Sequence, residues 1–410
     1  MTITVNNVPQ LRFPGFSGEW EEKRLGDITS KIGSGSTPRG GNKAYISSGI
    51  PFIRSQNVVN GQLNIFDTVF ISEETHKKMS NSAIRPGDVL LNITGASLGR
   101  TCVVPEDFDQ GNLSQHVCIV RIDTTVSNYL VHTLISTQKG LHELLKTQTG
   151  GGKEGLNFQA VRAFRIVLPE KDEQEKIAGF LTAVDGKIAA MQRKKELLEK
   201  YKKGVMQKIF SQELRFKDNN GQNYTRWQKK NLKAICDKFM VPMRDKPKNL
   251  SGPTPWCRIE DFDGKYLMCS KSKQGVDHDE IIRVGLTVFP KNTLIVSCSA
   301  NLGECAIAGV DLVTNQTFIG LSVNNENSLD FMYHLMRHSK HRLNTLSSGT
   351  TISYLSRQGF EKFIVEVPSI KEQKKIADFL TSIDEKIEAE ERKLEQAKQF
   401  KKALLQQMFV

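Results

Sequence analysis

The chain has 410 residues, 38% hydrophobic and 25% charged, which is globular usage, argues against disorder, and gives length for two or more separate cores. Its net charge of +12 favours a polyanionic partner. No run reaches the ~18 apolar residues of a membrane span and the opening MTITVNNVPQ lacks the regions of a signal peptide, so a cytoplasmic protein with no membrane partner is expected.

In chain order, LRF at Leu11 and W-x-x-K-x-L from Trp20 precede a Gly- and Ser-rich loop, KIGSGSTPRGGNK, residues 31–43. IPFIRSQNV begins at Ile50, and RPGDVLLNITGASLG begins at Arg85 with a strand predicted over 89–94 after its Pro-containing turn. Residues 128–146 read as short helical structure. TGGGKEGLN, residues 149–157, invites a phosphate-loop reading and fails it. Glu154 follows Lys153 where Ser or Thr is required, and Thr147 stands where the first Gly belongs, so a flexible loop fits better. A strand is predicted over 165–168, then a long helix.

In that helix Ile177, Leu181, Val184, Ile188, Met191, Leu198, Val205 and Ile209 step by four and three, with Lys195 and Lys202 at two missed positions of the apolar seam. Pro169 precedes the helix, and Glu170, Asp172 and Glu173 crowd its first turn, as the helix dipole prefers. RKKELLEKYKK, residues 193–203, is basic, but Glu196 and Glu199 interleave it. That pattern fits a solvated face or a docking surface for another subunit better than a polyanion contact.

The second half repeats the first. LRF returns at Leu214, W-x-x-K-x-L at Trp227, TPWCR at Thr254, and FPKNTLIVSCSANLG at Phe289 with a strand predicted over 293–297. Helical structure over 329–346 and a strand over 363–367 lead to Pro368 and a second long helix. Residues 168–211 overlay 367–410 at a constant offset of 199 with about 20 identities, which chance does not produce. The second seam is Ile376, Leu380, Ile383, Ile387, Leu394, Ala397, Leu404 and Met408, broken by Glu390 and Lys401. Each half carries a charge of +6 (27 basic against 21 acidic residues in 1–211, 30 against 24 in 212–410).

The expected fold is α+β: two strand-rich mixed α/β domains, residues 1–168 and 212–366, each followed by a long helix, 169–211 and 367–410. The helices are expected to pair as an antiparallel coiled coil about a pseudo-two-fold axis, with intermolecular dimerisation as the alternative. The seven Cys include no C-x-x-C pair, which indicates neither a disulfide framework nor a zinc module, and buried small hydrophobes are expected.

The P-x-x-x-E-Q-x-K-I-A-x-F-L-x-x-x-D-x-K-I segments starting at Pro169 and Pro368 resemble the conserved helical regions of type I restriction-modification specificity subunits. W-x-x-K-x-L-G-D-I from Trp20 and I-P-F-I-R-S-Q-N-V from Ile50 resemble the openings of that family's target recognition domains. The resemblance covers the whole chain. It implies a DNA-binding specificity subunit in which each recognition domain reads one half of a split double-stranded DNA sequence, while the paired helices set the gap. It implies as partners two methyltransferase subunits and, in the full complex, two restriction (translocase-nuclease) subunits. S-adenosylmethionine, ATP and Mg enter with those partners, this chain holds no cofactor, and methylation falls on one adenine in each half-site. The second half departs at Lys233 and Ala234, which replace G-D after Leu232, and at E-D-F, residues 260–262, which replaces Q-N-V. Different target bases would require such changes.

Neither an F-x-G-x-G cofactor loop nor an [ND]-P-P-[YF] motif occurs, and His116, His132 and His334 lack metal-ligand spacing, so no catalytic or metal-binding residue is assigned. The rival readings are a fused methylation or restriction enzyme, the specificity subunit of a modification-only or type II system, and a helical scaffold whose end domains bind protein.

DNA contacts are expected from the polar, basic loops. Ser36, Arg39 and Lys43 suit close approach to phosphates. Arg54, Gln56 and Asn57 carry groups that pair with guanine or adenine edges, although Arg258 at the place of Arg54 also fits a structural ion pair in both halves. Lys77, Lys78, Ser97, Arg100 and Lys153 complete the first half. Arg244, Lys246, Lys248, Arg258, Lys271 and Lys273 are the candidates in the second.

Overall fold

The computed structural model describes residues 7–59, 61–146, 155–242, 247–299, 301–346 and 354–409. It divides into unit 1, residues 1–192 with 393–410, and unit 2, residues 193–392.

Unit 1 opens with β1 (Glu21–Arg24), β2 (Thr29–Ser34), β3 (Ile50–Ile53), β4 (Val58–Val59), β5 (Gln62–Leu63) and β6 (Val69–Ile71). Helix α1 (Glu73–Lys78) then leads to β7 (Ala83–Ile84), β8 (Val89–Asn92), β9 (Thr101–Val103), β10 (Gly111–Leu113) and β11 (Val117–Ile122). Helices α2 (Asn128–Ser136), α3 (Gln138–Lys146) and α4 (Phe158–Ala163) precede β12 (Arg165–Leu168) and the 40-residue α5 (Lys171–Phe210). One sheet is antiparallel, ordered β2-β11-β8-β9, and a second is ordered β6-β3-β10-β7 with β10 parallel to β3. Alternation in the first sheet builds two cores, as the period of two along a strand demands. Val89, Leu91, Cys118 and Val120 pack with α2 and the start of α5, whereas Leu90, Val117 and Ile119 pack with Ile53, Ile84 and Leu113 of the second sheet. Covered on both faces, β8 is apolar throughout save its last residue, Asn92.

Unit 2 repeats this order with β13 (Gln228–Asn231), α6 (Leu232–Ile235), β14 (Cys236–Met240), β15 (Thr254–Cys257), β16 (Tyr266–Leu267) and β17 (Gly275–Val276). Next come α7 (His278–Val284), β18 (Val288–Phe289), β19 (Leu294–Ser297), β20 (Cys305–Ala308), β21 (Leu312–Thr314) and β22 (Phe318–Val323). The chain closes with α8 (Leu329–His338), α9 (Lys340–Leu346), α10 (Arg357–Lys362), β23 (Ile364–Val367) and α11 (Ile370–Met408). Its sheets are ordered β14-β22-β19-β20-β16 and β17-β15-β21-β18. The extra strand is β16, parallel to β20, where unit 1 has the separate hairpin β4-β5.

Residues 128–146 and 329–346 hold the short helical structure expected of them, each as two helices. Residues 128–146 form two helices because the Thr137 hydroxyl donates to the Leu134 carbonyl at 2.8 Å and accepts from Gly140 N at 3.0 Å, ending one helix and capping the next. A Cβ on Gly140 would meet the Leu134 carbonyl oxygen at 2.0 Å, so glycine permits this sharp junction. Residues 329–346 also break, at the buried Ser339, but without a hydroxyl cap, since among the described residues its Oγ has no hydrogen-bond partner.

The repeated E-Q pair is a clamp. In unit 1 Glu173 is fully buried and takes Arg12 in a two-bond fork, 2.8 and 2.7 Å. Its neighbour Gln174 accepts from Ser127 N at 3.1 Å, at the cap of α2, and donates to the Pro169 carbonyl at 2.9 Å. Unit 2 reproduces every bond: Arg215 forks onto Glu372 at 3.1 and 2.7 Å, and Gln373 joins Ser328 N to the Pro368 carbonyl. The acidic first turn therefore serves the LRF arginine as well as the helix dipole.

Within each unit the long helices pair antiparallel. In unit 1 Ile177 and Leu181 share a core with Trp20, Leu404 and Met408, and Lys401 pairs with Asp185 at 2.6 Å. In unit 2 Ile376 and Leu380 share a core with Val205 and Ile209, and the buried Lys202 pairs with Asp384. Burial holds the Lys202 ammonium below its usual range, partly offset by that carboxylate. Lys194 meets Glu390 and Lys195 meets Glu391, each at 2.7 Å. The charged residues interrupting the seam are thus ion-paired. Val184, Ile188, Leu198 and Ile387 are half-buried, while Ile383 and Leu394 are buried.

Candidate nucleic-acid interface

Sheet register gathers the loops of unit 1 at one place. Cys118 lies opposite Ser34, and Val117 lies opposite Asn92, so the end of β2, the end of β8 and the start of β11 share an edge. Parallel pairing of β3 with β10 brings in the turn after Ile53, through Ser114 N donating to the Ile53 carbonyl at 2.9 Å. A Cβ on Gly35 would lie 1.6 Å from the Leu113 carbonyl oxygen, so only glycine lets the 35–43 loop leave β2 this closely.

Side chains then tie the loops together. Asn92, fully buried, donates to the Ser55 carbonyl at 2.9 Å and to Ser97 Oγ at 3.1 Å. Thr94 Oγ1 and His116 Nδ1 lie 2.7 Å apart, and Thr37 Oγ1 donates to Gln115 Oε1 at 2.5 Å. Leu156 N donates to the Ile93 carbonyl at 2.9 Å, anchoring the end of another connection. Lys31 lies further back on β2, opposite Arg121, and donates to the Asn81 carbonyl; burial, then Arg121, lowers its pKa.

Ser36, Arg39, Lys43, Gln56 and Arg100 are exposed in this cluster. Arg100 borders a groove of about 1830 Å³ that runs past Lys139 and His142 of α3 to Lys398, Lys401 and Lys402 of α11. Lys77 is exposed on α1, with no side-chain hydrogen bond or ion pair among the described residues, and Lys78 pairs with Glu74. Ser97 already accepts from Asn92. Asn57 is a correction: it is buried, its Oδ1 accepts from Arg54 N at 2.9 Å and its Nδ2 donates to the Asn64 carbonyl at 2.8 Å, so burial and a bond at each end of the amide turn it inward and out of reach of a base edge. Lys153 lies outside the described residues.

Unit 2 gathers the equivalent loops, since Met240 lies opposite Gly320 and Ser297 opposite Phe318. Cys298 N donates to the Thr317 carbonyl at 2.8 Å, Leu355 N donates to the Cys298 carbonyl at 3.0 Å, and Tyr354 bridges Ser299. Arg258 donates to Gln274 Oε1 at 2.9 Å and lies 3.6 Å from Glu260, which matches a structural role. Arg54 makes no ion pair among the described residues. Lys248 and Lys273 are exposed, and Lys271 lies 3.4 Å from Asp263. Arg244 and Lys246 lie outside the described residues.

Sequence reasoning passed over Thr37, Thr94 and Gln115 in unit 1, weighed His116 only as a metal ligand, and passed over Asn315, Gln316, Thr317 and Tyr354 in unit 2. The signal was the duplication itself: LSQHV at Leu113 answers TNQTF at Thr314, with the glutamine in common. Among the described residues no cluster of His, Cys, Asp or Glu has metal-binding geometry, and no helix is long and apolar enough to cross a membrane. Six cysteines are buried and Cys269 is exposed; burial pushes the Cys102, Cys118, Cys236 and Cys257 thiols up to about 12, leaving them protonated.

Twofold repetition of a loop-bearing, two-sheet domain on paired helices defines a class of modular recognition proteins. The family model of the type I restriction modification DNA specificity domain matches residues 17–200 and again 224–399, and the chain belongs to that family. The type I restriction enzyme MjaVIII specificity subunit of Methanocaldococcus jannaschii is 23% identical over 416 residues, covering 94% of this chain and 91% of that one. Among solved structures, the S subunit of a type I restriction-modification system from M. genitalium superposes with a TM-score of 0.61 at 14% identity, covering 98% of this chain and 99% of that one. A chain from a study of complex assembly and conformational transition of the type I R-M system gives 0.56 at 17% identity, covering 96% and 97%. These likenesses establish the fold.

Proposed function

We propose that this chain selects DNA for a type I restriction-modification complex, each unit reading one half of a bipartite double-stranded target. The observation that carries this reading is that the same strand edge, in both units, carries a cluster of polar loops whose sequences differ while the backbone bonds that anchor them recur, Ile93 N to the His116 carbonyl and Leu156 N to the Ile93 carbonyl in unit 1, Cys298 N to the Thr317 carbonyl and Leu355 N to the Cys298 carbonyl in unit 2. The exposed Arg39, Lys43 and Arg100 suit phosphate oxygens, which fix register, while amides and hydroxyls among them suit base edges. The chain's role is recognition, with chemistry supplied by two methyltransferase subunits and two restriction (translocase-nuclease) subunits. S-adenosylmethionine, ATP and Mg belong to those partners, and the complex works on cytoplasmic DNA.

The test is DNA binding by the chain co-purified with its methyltransferase partner, across a salt series. A reader contacting several phosphates loses affinity steeply between about 50 and 200 mM salt. Binding that is weak and salt-independent at every sequence would favour the helical scaffold instead.

A further inference from the structure

We propose that Gln115 and Gln316 are specificity-determining residues, each pairing with an adenine in the half-site read by its own unit; this rests on the DNA-reading function above. Both occupy the first central position of the four-residue turn that joins β10 to β11 in unit 1 and β21 to β22 in unit 2, and both are exposed. That turn is the crossing point between the two sheets of each unit, and in unit 1 it lies among the loops tied by Asn92, Thr94 and Thr37.

Neither packing nor turn chemistry accounts for the shared glutamine. An exposed side chain adds little to a core, and tight turns favour Gly, Pro, Asn, Asp and Ser, each for a backbone reason that glutamine lacks. The flanking residues do carry the turn. Val117 N donates to the Ser114 carbonyl at 3.3 Å in unit 1, and Asn315 Oδ1 accepts from Thr317 N at 3.1 Å in unit 2. These flanks differ between the units, Ser114 and His116 against Asn315 and Thr317, yet the glutamine between them does not. Among the described residues the Gln316 amide makes no hydrogen bond. Gln115 Oε1 accepts from Thr37, which orients the amide and leaves a second lone pair and both N–H groups free. An amide so presented matches adenine, whose N6 donates to Oε1 and whose N7 accepts from Nε2.

The experiment maps methylated motifs after co-expressing the full chain and its methyltransferase partner in a host without adenine methylation of its own. Wild-type chain yields a bipartite motif; if it yields none, the DNA-reading function itself fails. Given that motif, Gln115→Ala relaxes one adenine in one half-site by roughly tenfold or more in discrimination, and Gln316→Ala relaxes one in the other. Gln115→Glu, which keeps the shape and loses the N7 donor, shifts the same position towards cytosine, whose N4 donates to a carboxylate. A structural role would not produce that exchange of preference, and the glutamate variant carries the test if an alanine variant does not fold. Unchanged motifs, changes in the wrong half-site, or a uniform loss at all sequences in a folded complex would overturn the proposal.

Discussion

Asn57 in unit 1 and Asp261 in unit 2 stand in equivalent turns, and the difference between them separates what each unit keeps from what it varies. Both accept a hydrogen bond from the arginine that opens the turn, at 2.9 Å from Arg54 N and 2.7 Å from Arg258 N. At the other end the bond reverses. Asn57 donates to the Asn64 carbonyl, whereas Asp261, whose side chain has no N–H, accepts from Lys271 N at 2.7 Å. One end belongs to the frame and is shared. The other reaches into a loop that has changed, a hairpin in unit 1 and a strand on the edge of the sheet in unit 2. The same division holds across each unit: arginine forks, glutamine clamps and apolar cores recur, and the exposed loop residues diverge apart from the shared Gln115 and Gln316.

If the frames are equivalent, matched changes should damage each unit separately. Leu181→Asp and Leu380→Asp should have the largest effects, because each puts a carboxylate in a fully buried apolar site, at a cost of more than about 4 kcal/mol. Hydrogen exchange followed unit by unit should show Leu181→Asp opening unit 1 and Leu380→Asp opening unit 2. Equal exchange in both units for either variant would deny them separate cores.

Arg12→Ala and Arg215→Ala come next. Each strands a fully buried glutamate, and breaking such a pair costs roughly 3–5 kcal/mol. Arg12 is the more enclosed of the two (side chain 14% exposed against 24%), so chemical denaturation should find its loss at least as severe. A loss under about 1 kcal/mol in both would remove the clamp from the frame.

Acid should act through His132. Burial, then Lys401, lowers its pKa to about 4, against the pull of Asp185, so the folded state keeps it neutral while the unfolded chain protonates near 6.5. Its contribution is full above pH 6.5 and falls away as pH drops from 6.5 to about 4, by roughly 3 kcal/mol. His132→Gln should flatten that part of the stability profile in unit 1. Unit 2 should keep its own slope, since His334 is lowered by burial and Lys202. An unaltered profile in the variant would show that other groups govern the acid limb.

The smallest effects belong to the loops. Arg39→Ala and Lys43→Ala should each reduce the salt slope of DNA binding by about one without changing the preferred sequence. A changed motif would make them base readers.

The sequence announced the frame because a frame is periodic and duplicated: the seams, the E-Q pairs and the paired tryptophans all recur at a near-constant offset. What it hid was partnership. Nothing near Glu173 in sequence points to Arg12, 161 residues away, and a polar Asn57 in a basic stretch reads as available until its burial is seen. Charge and exposure were legible in Arg39, Lys43 and Arg100. Gln115 was not, because a single exposed amide has no periodicity and gains meaning only when register places it among the other loops.

On the proposed function, recognition resides in the loops of each unit and the frame is common. The most direct measurement replaces residues 11–168 with the matching segment of another family member whose helices preserve the contacts of Leu404, Met408 and Phe409 with the first domain, and maps the methylated motif. One half of the motif should change and the other should stay as in the wild type. A change in both halves, or in neither, would mean that recognition is not divided between the loops of the two units.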